Sequence, residues 1–255
     1  MGRIFICGDT HGTLDLNKLK ELSIIKKLTF DDYVIICGDC GIVWNKDLLQ
    51  EHIRAYKSLY TNILFVDGNH ENFDRLYSDE FEVVDFHGGK AHKIRENVYH
   101  LMRGYIFDIC GKKIFAFGGA SSHDIDDGIL DRDDFDSDKE FNDTINDWYL
   151  KDKWFRINHI SWWAQEMPSQ EEMDFGLKTL ADNGNKVDYI VSHCCPQEIA
   201  SIFSHGSYKP DKLTQYFNDV KNTVEFDKWF FGHYHDNQQI LGNFYLLYEQ
   251  IVRVV

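Results

Sequence analysis

Short apolar runs alternate with polar loops and helical patterns in the first third of the chain. The apolar runs lie at residues 3–7, 33–37 and 63–66, and each is typical of a buried strand. Residues 15–27 place leucine and isoleucine on one side of a predicted helix, and a second helix is predicted near 47–59. This alternation predicts parallel strands joined by right-handed crossovers.

The pattern changes at residues 81–118, where short apolar stretches are separated by tight turns. Gly111-Lys112 is a plausible hairpin turn, and we predict that this region forms a second sheet, mixed or antiparallel. We also expect the apolar stretches between Gln239 and Val254 to be antiparallel strands that close the second sheet. The other predicted elements are strands at 188–192 and 228–231 and helices at 169–181 and 212–222.

A polar loop carrying acidic, amide or imidazole side chains follows each of five predicted strands. In open α/β sheets, ligands bind beyond the carboxyl ends of the strands. We therefore expect the five loops to converge in space although they are far apart in sequence. They contain Asp9 and His11; Asp39; Asn69 and His70; His193; and His233 and His235.

Composition and charge restrict the class of protein. The chain has 255 residues, 43% of them hydrophobic, and only three prolines, so we predict one domain over residues 1–255. A net charge of −15 without a basic stripe argues against a nucleic-acid partner. It also argues against a membrane partner bound through a polybasic patch. An acidic protein can still bind phosphates where bound cations supply positive charge.

The cysteines and the N-terminus bear on location. Six cysteines occur without the spacing of a disulfide scaffold, so we expect buried thiols in a reducing compartment. Cys37 and Cys40 form a C-x-x-C, but the intervening Gly38 and Asp39 fit another pattern better than a redox one. We find no secretory signal pattern and no apolar run of transmembrane length, and we expect a cytoplasmic location.

Residues 123–160 are rich in aspartate and then in aromatic side chains, and we treat them as an insertion. The EF-hand pattern fails, because taking Gly128 as the loop glycine places His123 first and Ile125 third. Two interpretations stay open. A solvated acidic loop is favoured, and a lid that faces the substrate is the alternative.

The candidate chemistry centres on Gly232-His233-Tyr234-His235, which follows an apolar run. Two imidazoles two residues apart direct two nitrogens into one small volume. A lone histidine on an apolar face is usually a hydrogen-bonded core residue, and Asp-x-His or Gly-Asp alone is common. Five such loops together favour a metal site. Mixed carboxylate and imidazole ligands suit manganese, iron, zinc or nickel better than calcium.

The order of these loops resembles the pattern of the calcineurin-like metallophosphoesterase superfamily. That pattern is D-x-H, G-D-x-x-D, G-N-H-[DE], a lone histidine and G-H-x-H, each after an apolar strand. The resemblance extends along nearly the whole chain, although residues 123–160 carry no motif of it. It implies an α/β fold, a four-layer αββα sandwich of two mixed sheets flanked by helices. It also implies two divalent or trivalent metal ions, with manganese, iron or zinc expected.

The resemblance implies a metal-dependent phosphoesterase acting on a small-molecule or protein phosphate ester, a mono- or diester. A shared carboxylate can hold two metals about 3.5–4 Å apart, and a water that bridges these metals would have a lowered pKa and attack phosphorus as hydroxide. The alternative is a non-catalytic metal-binding interaction scaffold on the same fold. By family pattern, Asp9, His11, Asp39 and His235 would hold one metal; Asp39, Asn69, His193 and His233 would hold the other; and His70, with Asp39, would be catalytic.

The chain departs from the family pattern at one position. Ile42 stands where the second aspartate of G-D-x-x-D is expected, and Val43 follows where phosphoprotein phosphatases usually have arginine. In those enzymes the missing aspartate orients the histidine that corresponds to His70, and Asp67 and Asp74 are candidates to replace it. The departure argues against a typical Ser/Thr protein phosphatase. Three arginines could contact phosphate, although ordinary exposed arginines are the favoured interpretation: Arg103, Arg132 and Arg156.

Overall fold

The structure, a computed structural model, describes residues 2–255. Within those residues it has fifteen strands, seven α-helices and two 3₁₀ turns, at Arg132–Asp134 and Ala164–Glu166. The strands are β1 (Ile4–Cys7), β2 (Tyr33–Ile36), β3 (Asn62–Phe65), β4 (Glu82–Phe86), β5 (Gly89–Arg95), β6 (Val98–Leu101), β7 (Tyr105–Ile109), β8 (Lys112–Phe117), β9 (Gly128–Leu130), β10 (Phe155–Ile157), β11 (Tyr189–Ser192), β12 (Lys228–Phe231), β13 (Gln238–Ile240), β14 (Phe244–Leu246) and β15 (Ile251–Arg253). The helices are α1 (Asn17–Lys26), α2 (Leu49–Lys57), α3 (Phe73–Leu76), α4 (Asp138–Leu150), α5 (Gln170–Asp182), α6 (Gln197–Phe203) and α7 (Lys212–Thr223).

Two large sheets hold most of the strands. The first has seven strands in the order β15-β1-β2-β3-β6-β5-β4, and the second has six in the order β13-β14-β12-β11-β8-β7. The central pairs β1–β2, β2–β3 and β3–β6 are parallel, as are β8–β11, β11–β12 and β12–β14. The outer pairs are antiparallel, so both sheets are mixed, as predicted.

Alternation along the strands explains the layers. In β1, Ile6 packs in the core between the two sheets, whereas Phe5 packs with residues of α1 and α2 on the outer face. In β11, Val191 faces the inter-sheet core and Ile190 packs with α5, α6 and α7. Helices therefore cover the outer face of each sheet. The predicted four-layer αββα sandwich is confirmed.

The predicted helices are present close to their predicted bounds. α2 buries Leu49, Ile53 and Tyr56 against the first sheet. α5 begins at a capping box in which the Ser169 hydroxyl accepts from the Glu172 backbone amide and the Glu172 carboxylate accepts from the Ser169 amide. Across residues 2–255, none of the helices is long and apolar enough to cross a bilayer.

The assignment of all strands of residues 81–118 to the second sheet is wrong. The β4–β5 hairpin and β6 extend the first sheet, because β6 pairs in parallel with β3. Of the strands in residues 81–118, only β7 and β8 belong to the second sheet. They are joined by a turn at Cys110-Gly111 with positive φ at both residues. An apolar pattern identifies strands, but the sheet that each one joins is decided by which edge is free in the folded chain.

The C-terminal strands are also divided between the sheets. β13 and β14 join the second sheet, where β14 runs parallel to β12 rather than antiparallel to it. β15 pairs antiparallel with β1 in the first sheet, so the prediction that it closes the second sheet is wrong. The chain between β14 and β15 packs tightly against the loop after β1. A Cβ on Gly8 would lie 1.9 Å from the Leu247 carbonyl oxygen, so this contact requires glycine.

Residues 123–160 are ordered rather than a solvated loop, so the favoured interpretation of them is wrong. β9 and β10 form a parallel pair, and α4 is capped by Ser137, whose hydroxyl accepts a bond from the Glu140 amide. Among the aspartates, Phe141, Ile145 and Trp148 recur at helical spacing, so one face of α4 is apolar and packs in a small core. Buried with them are Leu130, Phe155 and Ile157.

Candidate metal centre

The loops after β1, β2, β11 and β12 meet at one edge of the sandwich. They form two groups of candidate ligands, and within each group the ligand atoms lie within 4.8 Å of one another. One group is Asp9 with His11 and His235, and the other is Asp9 with Asp39 and His193. Asp9 is common to both groups. The structure thus brings together residues that are up to 226 positions apart in sequence (235 − 9).

Glycines permit this close approach. A Cβ on Gly68 would lie 2.0 Å from Oδ1 of Asp39, and a Cβ on Gly232 would lie 2.1 Å from Oδ1 of Asp9. Contacts that short do not occur, so a larger residue at either position would push a carboxylate away. The glycines that precede Asn69 and His233 are therefore part of the site's geometry.

Four candidate ligands have left-handed backbone conformations. The φ angles of His11, Asp39, His233 and His235 are 42°, 48°, 69° and 49°. Non-glycine residues rarely adopt this region, and such residues cluster at functional sites because the surrounding structure must hold them there. The backbone is shaped to aim these side chains at one point.

His193 is held in one orientation. Its Nδ1–H donates to the Cys37 carbonyl oxygen at 2.7 Å, which directs Nε2 toward Oδ1 of Asp39 at 3.3 Å and Oδ1 of Asn69 at 3.2 Å. Burial lowers the pKa of His193, but the charge and hydrogen bond of Asp39, together with the charge of Asp9 and the Cys37 carbonyl, outweigh burial and raise this pKa to about 9. A positive charge is therefore favoured here, and a cation among the three atoms would supply it in place of the proton.

His11 has a similar arrangement. Its Nδ1 lies 2.7 Å from Oδ2 of Asp15, and its Nε2 lies 3.6 Å from Oδ2 of Asp39. Burial lowers the pKa of His11, but the nearby carboxylates of Asp39 and Asp15 together raise it to about 9. A carboxylate on the outer nitrogen is typical of metal-bound histidine. Asp15 was not predicted, although it follows His11 by four residues at the approach to α1.

Asp9 supplies the test of whether this site fits a metal ion. Its Oδ1 accepts a bond from the His233 backbone amide at 3.2 Å. Its Oδ2 is buried and lies 3.0 Å from Nε2 of His235, but without the geometry of a hydrogen bond, and it has no hydrogen-bond partner among the described residues. A buried carboxylate oxygen without a partner is costly. A carboxylate, an amide and imidazoles around such an atom fit a bound metal ion.

His233 lies in the same pocket, and its own ring is neutral. Its centroid is 4.9 Å from that of His193 and 4.6 Å from that of His123. Burial lowers the pKa of His233 well below its usual value, and the positive charges of His193 and His123 lower it further. A neutral imidazole keeps a lone pair free for a ligand bond.

Asn69 is oriented through two residues that the sequence analysis missed. Its Nδ2 donates to the Ser122 hydroxyl oxygen at 3.4 Å. The Ser122 hydroxyl and amide donate to the two oxygens of Glu166, both at 2.7 Å. Burial raises the pKa of Glu166 to about 7, against the bonds from Ser122. The sequence signal that could have identified Ser122 was the polar loop after β8, because β8 ends at the same edge as the other strands.

His70 lies beside the cluster. Its backbone amide donates to Oδ1 of Asp39 at 2.7 Å, and its ring packs against His11 and Trp44 at centroid distances of 5.8 and 6.2 Å. Burial lowers the pKa of His70, and the positive charge of Arg156 contributes in the same direction. Within residues 2–255, the imidazole has no hydrogen bond of its own.

Within residues 2–255, neither predicted replacement for the missing family aspartate forms a hydrogen bond with His70. Asp67 accepts from Arg103 Nε at 2.9 Å and lies 3.0 Å from His100 Nε2, both buried. Asp74 accepts from Trp163 Nε1 at 2.8 Å. Those two assignments are wrong, because each carboxylate is occupied by another partner.

Trp44 stands near His70 instead. Ile42, at the aspartate position, is buried in the core between the first sheet and its helices. Trp44 follows it by two residues and packs edge-on against Trp163, with centroids 5.3 Å apart. Packing, rather than a carboxylate, therefore restricts the ring of His70.

The three arginines have different environments. Arg103 is buried, which contradicts the favoured interpretation, and it pairs with Asp67. Arg132 pairs with Asp138 on the surface of the insertion. Arg156 pairs with Asp124 close to the centre.

The C-x-x-C does not have the properties of a redox pair. Cys37 and Cys40 are free thiols, and both are completely buried. Burial raises the pKa of both thiols far above the usual value. Reactive thiols need a depressed pKa and access to solvent, so these two are structural.

The family found by comparison with known proteins agrees with the fold. The family model of calcineurin-like phosphoesterases matches residues 2–237, which is nearly the whole chain. No curated protein matches the sequence. The matched region includes all the loops described above, from Asp9 to His235.

Proposed function

The chain belongs to the calcineurin-like phosphoesterase family, and we propose that it hydrolyses phosphate mono- or diesters at a centre of two metal ions. Membership of the family supports a metal-dependent phosphoesterase. The observation that carries the dinuclear proposal is the pair of ligand groups that overlap at Asp9, one with His11 and His235 and the other with Asp39 and His193.

The two oxygens of Asp39 support its role as the bridging ligand. Oδ1 lies 3.3 Å from His193 Nε2, and Oδ2 lies 3.6 Å from His11 Nε2. One carboxylate therefore faces both sides of the centre. One metal ion would be held by Asp9, His11, Asp39 and His235. The other would be held by Asp39, Asn69, His193 and His233. Manganese, iron and zinc suit these donors.

The chemistry divides between the metals and the protein. The bound pair would neutralise phosphoryl oxygens and lower the pKa of a water that attacks phosphorus. His70 would protonate the leaving oxygen. The bond from the His70 amide to Asp39 holds this residue beside the cluster, and Trp44 and His11 limit where its ring can lie.

We also propose that residues 1–255 act as one domain and that the insertion at 123–160 borders the His70 side of the centre. His159 Nδ1 lies 2.9 Å from Oδ2 of Asp74, which follows the loop that carries His70. Arg156 is close enough to affect the pKa of His70. These contacts support the lid interpretation of the segment.

Hydrolysis of 4-nitrophenyl phosphate and bis(4-nitrophenyl) phosphate by Mn²⁺-loaded protein tests the proposal. We expect activity that a chelator removes and that Asp39→Asn abolishes. Asp219→Asn, an exposed carboxylate on α7, is the matched control and should retain full activity. Substantial activity in Asp39→Asn would contradict the bridging role, and no activity with either ester would favour a non-catalytic scaffold.

A further inference from the structure

A cavity of about 360 Å³ opens directly beside the proposed proton donor. His70 and His11 form its wall on the side of the metal centre, and its large apolar lining residues are Leu14, Trp44 and Leu48. Its volume lies in the range of small-molecule sites. A group bonded to the leaving oxygen near His70 would project into this space.

The cavity is uncharged apart from its histidines. Among the described residues that line it, none is a lysine, an arginine, an aspartate or a glutamate. Leu14 and Leu48 are 80% and 43% exposed, so apolar surface faces solvent at the rim. Exposed apolar surface that adjoins a site marks a place where an apolar group can be removed from water.

The aromatic wall is preorganised. Trp44 packs edge-on against Trp163, and the Trp163 indole N–H donates to Oδ2 of Asp74 at 2.8 Å. The carbonyl oxygen of Trp44 accepts from Asn72 Nδ2 at 3.1 Å. A side chain fixed on its far face loses little freedom when a ligand covers its near face.

The cavity on the other side of the centre has the opposite character. It measures about 440 Å³, borders His233, and is lined by Asp126, Asp211 and Lys209 among others. An apolar lining is therefore specific to the His70 side, where the leaving group departs. The two sides of the centre would select different chemical groups.

We propose that the cavity bordered by Leu14, Trp44 and Leu48 binds the leaving group of the substrate, and that this group is an aromatic alcohol. The inference rests on the proposed phosphoesterase function. Trp44 offers an indole surface for an aromatic ring, and the leucines cover its edges. Esters of polar alcohols gain nothing from this surface.

The first test compares 2-naphthyl phosphate with phenyl phosphate, two esters whose leaving groups differ mainly in apolar area. Wild-type protein should show a kcat/KM for the naphthyl ester roughly tenfold higher. The double variant Leu14→Asn with Leu48→Asn should bring the two values close together. Ile24→Asn, an exposed apolar residue on α1, is the control and should keep the wild-type ratio.

The second test does not depend on catalysis. We expect 2-naphthol to bind metal-free protein and change tryptophan fluorescence, with affinity at least tenfold weaker in the double variant. If naphthol binds in this way but no ester is hydrolysed, the cavity stands and the phosphoesterase proposal fails. If esters are hydrolysed with equal kcat/KM and naphthol does not bind, the cavity proposal is overturned.

Discussion

Asp39 and His70 are joined by a hydrogen bond of 2.7 Å from the backbone amide of His70 to Oδ1 of Asp39. The same oxygen faces His193 Nε2 at 3.3 Å. One carboxylate therefore connects the candidate metal ligands to the residue that would donate a proton. This bond gives His70 a fixed backbone position even though its family partner is replaced by Ile42.

Replacement of His70 should affect esters according to their leaving groups. We expect His70→Ala to lower kcat for phenyl phosphate about 10²- to 10⁴-fold, because phenolate leaves poorly without a proton. The loss for 4-nitrophenyl phosphate should be much smaller, since nitrophenolate leaves readily. Steady-state kinetics with both esters measures this difference. His205→Ala, an exposed histidine, is the control, and equal losses for the two esters would rule out proton donation.

Glu166 should influence metal binding through Ser122 and Asn69. Glu166→Ala removes the acceptor that holds Ser122, and we expect the Mn²⁺ site that Asn69 would help to form to lose affinity about 10- to 100-fold. Glu166→Gln keeps one acceptor oxygen and should recover part of this loss. Calorimetric titration with Mn²⁺ measures the affinity directly. The exposed Glu171→Ala serves as the comparison, and unchanged affinity in Glu166→Ala would show that the chain of hydrogen bonds is not needed.

The buried pair of Arg103 and Asp67 should be needed for stability. Arg103→Met leaves the Asp67 carboxylate buried without its cationic partner, and we expect the free energy of unfolding to fall by about 3–5 kcal/mol. Urea denaturation provides the measurement. Arg132→Met removes an ion pair on the surface, and the free energy of unfolding should fall by less than about 1 kcal/mol. Similar effects of the two substitutions would contradict this assignment.

The Arg3–Asp32 pair should make stability depend on pH. The Arg3 guanidinium, together with the Thr29 amide, holds the pKa of the buried Asp32 carboxyl well below its usual range. The stabilisation is fully present above the unfolded pKa of about 3.9 and is lost as the pH falls through that value toward the folded one.

Asp32→Asn should therefore lower the free energy of unfolding by about 2 kcal/mol at pH 7. The difference from wild type should shrink as the pH falls below about 4. Chemical denaturation between pH 3 and 7 measures both effects. The neighbouring Asp31→Asn is the matched control, because its side chain is exposed. A difference that does not depend on pH would show that the charge of Asp32 is not the cause.

Much of the fold and the convergence of the loops could be predicted from sequence. The strands that end at Cys7, Ile36 and Phe65 are continuous apolar runs, and parallel strands carry the loops after them to the same edge. Local patterns and topology together were sufficient to place Asp9, Asp39 and Asn69 at that edge.

The surroundings of these residues could not be predicted. Glu166 reaches Asn69 only through Ser122, which lies 53 positions from Asn69 and 44 from Glu166, and no spacing rule connects them. The sheet that β6 joins depends on the free edge of β3, which is a property of the folded chain. Asp67 could be recognised as acidic, but its preference for Arg103 over His70 was decided by tertiary packing.

The central claim is that Asp39 joins two metal ions into one centre. Electron paramagnetic resonance of protein loaded with Mn²⁺, together with elemental analysis, tests it most directly. We predict two manganese ions per chain with the spectrum of an exchange-coupled pair, and at most one uncoupled ion in Asp39→Asn. One uncoupled ion per chain in the wild-type protein, or an unchanged coupled spectrum in Asp39→Asn, would contradict the claim.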